Sequence, residues 1–182
     1  RDLLPVYEPG LEALFIENKN KITFSTNFEK LRNVDLLWVA YDTPVDKRDN
    51  ADIDFVIKNI KQSINYLPND ALIVISSQLP VGSIKKLEFY ALEKKKKLNF
   101  AYSPENLRLG NALNVFLKPD RIVVGCRDDN TKKKLNKVLK KITQNIIWVS
   151  VESAEMTKHA INSFLALSVS FANELASICE KV

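Results

Sequence analysis

Three segments of the sequence place polar residues directly after short apolar runs. Residues 41–44 read YDTP, residues 76–82 read SSQLPVG, and residues 103–110 read SPENLRLG. Each apolar run predicts a buried strand, and polar groups at a strand end can bind a ligand. Prolines and glycines also end strands for structural reasons, so a single segment of this kind fits either interpretation equally well. Three in succession favour a ligand crevice, because open α/β sheets bind ligands outside the carboxyl ends of their strands.

The order of the predicted elements indicates a doubly wound α/β fold. Buried strands are predicted at 35–40, 71–76, 98–102, 121–125 and 146–150, with a weaker strand at 22–25. Helical spacing of apolar residues predicts helices at 53–67, 81–94 and 128–143. Strands and helices that alternate through short connections predict right-handed crossovers and a mostly parallel sheet.

The last segment, residues 152–181, differs from the others because it contains neither Gly nor Pro and its apolar residues recur throughout. This pattern predicts one helix of about 30 residues and about 45 Å, longer than a helix needs to be to cover a sheet. Its apolar stripe is broad, so we expect it to cross to a second domain or to a partner subunit.

Composition and charge narrow the class of protein. The chain has 182 residues, 46% of them hydrophobic, and a formal net charge of +5. The lysines cluster on predicted helix ends and polar helix faces, without the interleaved aromatics of a nucleic-acid platform, so no nucleic-acid partner is expected. No uninterrupted apolar run reaches the roughly 18 residues of a membrane helix, so no membrane partner is expected. The two cysteines, Cys126 and Cys179, lack metal-ligand spacing, which predicts no metal site and favours a reduced, cytoplasmic setting.

Six blocks of this sequence occur in the order of one known family. In chain order they are LPVYEPGL at 4–11, DTP at 42–44, LPVG at 79–82, SPENLR at 103–108, KPDRIVVG at 118–125 and AEMTKHAINSFLA at 154–166. They resemble the family's PIYEPGL, GTP, TVPVG, NPEFLRE, RPDRIVIG and AELTKYAANAFLA. The chain is therefore identified as a member of the UDP-glucose/GDP-mannose dehydrogenase family of nucleotide-sugar 6-dehydrogenases.

The resemblance implies a fold and a reaction. Residues 1–150 would form a partial, Rossmann-like NAD-binding domain, and residues 151–182 would begin a central all-α domain. The implied reaction oxidises the C6 alcohol of a UDP- or GDP-hexose to a carboxylate with two NAD, through a thiohemiacetal and a thioester on a cysteine. The long helix 152–181 would form the core of a homodimer.

The family's functional residues can be carried onto matching positions. Glu105 falls on the carboxylate that works through water in the hydrolytic half-reaction, whereas without the resemblance it could be a surface turn residue. Lys158 and Asn162, four residues apart on one helix face, match the pair that holds a developing oxyanion. Thr43, Pro44, Ser77 and Gln78 would border NAD. The segment Asn106, Leu107, Arg108 and Leu109 would contact the nucleotide sugar together with Lys158 and Asn162.

Several departures from the family pattern qualify this interpretation. The glycine-rich turn that cradles a pyrophosphate and the block that carries the catalytic cysteine are not found in these 182 residues. Neither Cys126 nor Cys179 matches the nucleophile, so we expect both blocks beyond the ends of this sequence and no activity from these residues alone. Gln78 replaces a family Thr, and Leu109 replaces a second Glu, which leaves the sugar open.

One alternative function remains from the sequence. A noncatalytic nucleotide-sugar-binding or assembly protein, descended from the enzyme, would also lack the cysteine. His159 is the only histidine of the chain, and the family often has an aromatic residue there. We therefore expect His159 to serve packing rather than chemistry.

Overall fold

A five-stranded sheet in the order β1-β2-β3-β4-β5 forms the centre of the computed structural model, which describes residues 4–48 and 50–181. The strands are β1 Leu36–Val39, β2 Leu72–Ile75, β3 Asn99–Tyr102, β4 Ile122–Cys126 and β5 Ile146–Val149. All neighbouring pairs are parallel except β3–β4, which is antiparallel. The predicted mostly parallel sheet is confirmed, and each strand lies within one residue of its predicted range.

Helices cover the sheet on both faces. The α-helices are α1 Leu11–Asn18, α2 Ile53–Tyr66, α3 Ser83–Glu93, α4 Ala112–Leu117, α5 Asp129–Leu139 and α6 Val151–Cys179, and 3-10 helices occur at Lys19–Lys21 and Phe28–Asn33. Helices α2, α3, α5 and α6 match the predicted ones, whereas α1 and α4 were not predicted. Asp52 and Asp128 cap α2 and α5, each accepting a backbone N–H at 2.9 Å.

The core has two parts, one on each face of the sheet. Ile73 and Ile75 of β2 pack with buried residues of α2 and α3, whereas Leu72 and Val74 pack with Leu135 and other residues of α5. All four β2 residues are buried, as expected of a parallel strand covered on both sides. The doubly wound architecture follows from this two-sided burial.

The weaker strand predicted at 22–25 is wrong. This segment lies between two 3-10 helices and joins no ladder in the described part of the chain. Ile22 is extended, but Phe24 is 80% exposed and its ring contacts Phe15 of α1. An extended segment becomes a strand only when a neighbour supplies hydrogen bonds, and none does so here in the described residues.

Helix α6 changes its surroundings along its length. Val151, Ala154 and Glu155 are buried against the sheet, whereas residues 160–181 are exposed. By length and composition alone this helix could cross a membrane, since an 18-residue window reaches a mean hydropathy of 1.2. The prediction of no membrane partner rested on the absence of an uninterrupted apolar run, whereas the apolar residues of α6 are interrupted by polar ones. Core helices of soluble proteins meet the same criterion, so it does not by itself establish a membrane partner.

Candidate functional site

Hydrogen bonds from hydroxyl groups to backbone carbonyls link the carboxyl ends of β1, β2 and β3 on one face of the sheet. Ser77 Oγ donates to the Tyr41 carbonyl at 2.7 Å, and Thr43 Oγ1 donates to the Gln78 carbonyl at 3.1 Å. The Tyr102 hydroxyl donates to the Ser77 carbonyl at 3.0 Å. Burial raises the pKa of Tyr102 to about 12, and the charges of Glu155 and Glu105 act in the same direction, so this phenol remains a donor.

A second set of hydrogen bonds joins four strands on the opposite face. Trp38 Nε1 donates to Ser76 Oγ at 2.9 Å, and Ser76 Oγ donates to the Ser103 carbonyl at 2.7 Å. Ser103 Oγ then donates to the Val123 carbonyl at 3.1 Å. The strand ends are therefore fixed relative to one another, which gives any ligand there a rigid frame.

A cavity of about 580 Å³ opens at this edge of the sheet. Of the predicted residues, Thr43, Ser77, Gln78, Glu105 and Leu107 line it. The remaining walls are mostly apolar and include Ala40, Val45, Ile53 and Pro80. The three strand ends that the sequence singled out thus meet around one cavity, as their positions after successive strands predicted.

Glu105 and Lys158 come together beside the cavity from elements 53 residues apart. Lys158 Nζ donates to the Glu105 carbonyl oxygen at 2.8 Å and lies 3.5 Å from its carboxylate Oε1. Glu105 Oε2 accepts the Leu107 N–H at 2.6 Å. The Lys158 side chain is only 19% exposed, so its charge acts in a partly desolvated position next to a carboxylate.

The other predicted residues lie around this centre rather than in the cavity wall. Pro44 is exposed on the loop after β1, where its carbonyl accepts the Asp52 N–H at 2.7 Å. Arg108 and Leu109 are exposed on the loop before α4. Asn162 is exposed on α6, one turn beyond Lys158.

A second cavity, of about 330 Å³, lies behind the loop that carries Glu105. Asn106 lines this cavity, and Glu105 and Leu107 line both cavities. Trp38 and Phe116 form part of its apolar wall, with ring centroids 6.4 Å apart. The 105–107 segment is therefore the partition between two cavities.

Glu155 contributes a contact that sequence reasoning missed. The N-cap residue of helix α3 is Gly82, which has no side chain to cap the helix. The fully buried Glu155 carboxylate of α6 takes that place, accepting the Gly82 N–H at 2.7 Å and the Ile84 N–H at 2.8 Å. A negative charge at a helix N-terminus is favoured by the helix dipole. The available signal was Gly82, which has no capping side chain, together with an acidic residue within the AEMTKHA block.

His159 also fastens α6 to the loop after β2. Its Nε2 lies 2.9 Å from the Leu79 carbonyl, so this nitrogen carries the proton and donates. Nδ1 then accepts from Gln78 Nε2 at 3.4 Å. His159 lines the larger cavity, and its hydrogen bonds join two positions, 78 and 159, at which this sequence departs from the family pattern.

The cysteines stand apart from this site. Cys126 is half-buried at the end of β4, where burial and the charge of Asp128 raise the pKa of its thiol. This shift is opposite to the one that a nucleophilic thiolate needs. Cys179 is exposed at the far end of α6. Within residues 4–48 and 50–181, no group of three or more metal-ligating side chains comes together.

Two family models match nearly the whole chain. Residues 1–143 match the NAD-binding domain of the UDP-glucose/GDP-mannose dehydrogenase family, and residues 152–182 match its central domain. The chain belongs to this family. The suggested resemblance is confirmed, and with it NAD as the cofactor of the matched domain.

Curated relatives agree with the family match. The chain is 34% identical to a UDP-glucose 6-dehydrogenase of Rickettsia bellii over 186 residues, which cover 99% of the chain and 43% of the relative. It is also 34% identical to the UDP-glucose 6-dehydrogenase YwqF of Bacillus subtilis over 188 residues, covering 100% of the chain and 43% of the relative. The chain thus spans less than half the length of these relatives.

Solved structures share the fold. A UDP-glucose dehydrogenase of Pyrobaculum islandicum superposes with a TM-score of 0.85 at 31% identity, over 96% of this chain and 42% of that one. A ternary complex of GDP-mannose dehydrogenase from Pseudomonas aeruginosa gives a TM-score of 0.83 at 25% identity, over 95% of this chain and 42% of that one. The long helix after the sheet is therefore part of a fold shared with dehydrogenases.

Proposed function

We propose that the chain forms part of the active site of an NAD-dependent nucleotide-sugar 6-dehydrogenase, which oxidises the C6 alcohol of a UDP- or GDP-hexose to the uronate. The observation that carries the proposal is the Glu105–Lys158 pair beside a cavity at the strand ends. Membership of the family supports the reaction class. Because the chain spans about 43% of its relatives' length, the activity is proposed for the whole protein.

The larger cavity suits the nicotinamide end of NAD. Its apolar walls offer a surface to a flat ring, and the Thr43 and Ser77 oxygens keep lone pairs after donating their protons to carbonyls. We assign cofactor contacts to Thr43, Pro44, Ser77 and Gln78. NAD bound there supplies the hydride acceptor for both oxidations.

Glu105 and Lys158 divide the chemistry of the sugar between them in this proposal. The Glu105 carboxylate takes a proton from the water that hydrolyses the thioester, since a general base must lie within hydrogen-bond reach of that proton. Lys158, with Asn162 on the same helix face, holds the negative charge that develops on the substrate oxygen. The contact between Lys158 and Glu105 supports a shared site for the two roles.

The nucleotide sugar contacts the loop Asn106, Leu107, Arg108 and Leu109 in this proposal. The Leu107 N–H already donates to Glu105 Oε2 at 2.6 Å, so the loop and the base have a fixed mutual orientation.

The thioester route also requires a thiolate, and neither Cys126 nor Cys179 suits that role. The cysteine would come from a part of the protein outside these 182 residues.

Two structural proposals accompany the activity. Residues 1–150 form the NAD-binding part, and residues 151–182 begin a central domain that makes a homodimer through the 152–181 helix. The broad exposed stripe of α6 supports a partner there. We further propose that the enzyme works in the cytoplasm, where free thiols remain reduced.

The test is oxidation of a panel of UDP- and GDP-hexoses by the full-length protein. We expect NAD reduction with one of them, at about two NAD per sugar, because conversion of an alcohol to a carboxylate removes two hydrides. Lys158→Ala should abolish the reaction, whereas Lys86→Ala on the exposed side of α3 should not. Folded protein that reduces no NAD with any sugar of the panel would refute the proposal, and a ratio near one would indicate a simple alcohol dehydrogenase.

A further inference from the structure

The first of the six family-like blocks, residues 4–11, has no role in the proposed chemistry, yet its Glu8 is 7% exposed and makes long-range contacts. Glu8 Oε2 accepts the Gly110 N–H at 2.8 Å, and Oε1 accepts the Leu113 N–H at 3.3 Å. These contacts join residues more than 100 positions apart. A carboxylate buried in this way is held by its donors, because burying a charge without partners is costly.

The segment that Glu8 binds has little other support. Helix α4 has only six residues, none of them buried, and its N-cap Asn111 makes no side-chain capping bond. So short a helix is marginal by itself. The Glu8 carboxylate accepts the N–H of Leu113 in the first turn, which lacks a partner within the helix, and the N–H of Gly110 just before the N-cap.

Gly10 allows the N-terminal block to fit against α4. Its φ of +82° lies in the left-handed region that favours glycine, and a Cβ there would lie 3.4 Å from Leu113 Cδ2. The turn that carries Glu8 is therefore packed against the residue to which Glu8 is hydrogen-bonded. The hydrogen bond of Glu8 and the proximity of Gly10 to Leu113 therefore bring the same turn against the start of α4.

We infer that Glu8 is a positioning residue for the nucleotide-sugar loop 106–110, an inference that rests on the proposed function of that loop. The loop is anchored at one end by the Glu105 carboxylate on the Leu107 N–H and at the other by the Glu8 carboxylate on the Gly110 N–H. Without Glu8, the far end loses its charged acceptor. Binding of the sugar would then also have to order the loop, and the entropy lost in ordering it would weaken the affinity for the sugar.

Glu8→Gln in the full-length protein tests this inference by two independent readouts. Loss of one charged hydrogen bond should raise hydrogen exchange of the Gly110 and Leu113 amides about tenfold and raise KM for the nucleotide sugar about tenfold. KM for NAD and kcat should stay within about twofold, because the NAD contacts and Glu105 are untouched. Glu12→Gln, at an exposed position of α1, is the matched control and should change neither readout.

Gly10→Ala provides a second route, because it disturbs the same turn without removing the carboxylate. We expect the same pattern of faster exchange and higher sugar KM. Unchanged exchange at Gly110 and Leu113 in both variants would overturn the positioning role whether or not the protein oxidises a sugar. Faster exchange with an unchanged sugar KM would equally overturn it. Absence of sugar oxidation in the unmodified protein would refute the proposed function, while the exchange data still report on the Glu8 contact.

Discussion

Glu105 makes a different contact through each of its carboxylate oxygens. Oε2 accepts the Leu107 N–H at 2.6 Å, whereas Oε1 lies 3.5 Å from Lys158 Nζ. The side chain is 43% exposed, so water can reach the carboxylate from the cavity side. This arrangement is compatible with both roles proposed for Glu105, ordering the 106–110 loop and accepting a proton from water.

Glu105→Gln separates these two functions, because a glutamine oxygen still accepts the Leu107 N–H but takes up no proton. In the full-length protein we expect turnover to fall by about 10²–10⁴-fold, the range of general base contributions. The loss should lie in hydrolysis rather than in the first hydride transfer. Rapid-quench analysis should therefore detect an accumulated covalent adduct of enzyme and sugar.

The control for that experiment is Glu93→Gln, at the exposed last residue of α3. It removes the same charge from the protein and should leave turnover unchanged. Normal turnover of Glu105→Gln without an adduct would mean that Glu105 is only a loop residue.

The contact between α6 and β4 depends on a residue without a side chain. A Cβ at Gly125 would lie 2.7 Å from Val151 Cα, 2.7 Å from Ala154 Cβ and 2.8 Å from the Ser150 carbonyl oxygen. Two of these neighbours are backbone atoms, which cannot turn aside. The start of α6 thus lies as close to the sheet as it does because position 125 is glycine.

Gly125→Ala should therefore destabilise the protein by about 1–3 kcal/mol, the usual cost of overpacking a core. Urea unfolding measures this loss as a lower transition midpoint. Gly110→Ala is an informative control, since its φ of +85° strains alanine but no atom lies within 4 Å of the added Cβ. Gly125 has no positive φ, so backbone strain does not contribute there, and an unchanged midpoint in Gly125→Ala would show that α6 and β4 can separate enough to admit the methyl group.

Sequence patterns predicted the elements whose stability comes from burial along their own length. Strand β2 and helix α2 are examples, since their apolar spacing matches the faces they bury. Helix α4 was not predicted because the hydrogen bonds that stabilise its start come from Glu8, more than 100 residues away. The segment 22–25 failed for the opposite reason, because its pattern suits a strand but no neighbouring strand pairs with it in the described part of the chain.

The candidate site was predictable to a similar extent. Thr43, Ser77 and Glu105 share one cavity because the strand order brings successive carboxyl ends to one edge. The hydrogen bonds of Thr43 and Ser77 to carbonyl groups, and the cap that Glu155 provides, depend on distances between elements that spacing in the sequence does not contain. The roles assigned to these residues remain predictions.

At the scale of the whole molecule, α6 presents an exposed apolar stripe along residues 160–181. Leu167 is 69% exposed, Phe171 64%, Leu175 47% and Ile178 58%. Burial of such a side chain contributes about 1.5–3 kcal/mol. A helix that leaves several of them in water favours association, which agrees with the proposed homodimer.

Phe171→Asp combined with Leu175→Lys should disrupt that association in the full-length protein, since both introduce charge into the stripe. We expect sedimentation to show monomers, or the protein to become insoluble. Lys158→Ala on the same helix should leave the assembly intact. A soluble double variant that sediments as an unchanged dimer would place the interface elsewhere.

The cap that Glu155 gives to α3 has a consequence for the order of folding. Residues 82 and 84 emerge from a ribosome about 70 residues before their acceptor, so we expect the start of α3 to gain its cap only once α6 docks. Unfolding is coupled in the same way, because detaching α6 leaves two N–H donors of α3 without their carboxylate. We therefore expect the sheet and the first turns of the long helix to unfold as one cooperative unit. A chain cut between residues 150 and 151, where strand β5 gives way to helix, would divide that unit rather than separate two independent ones.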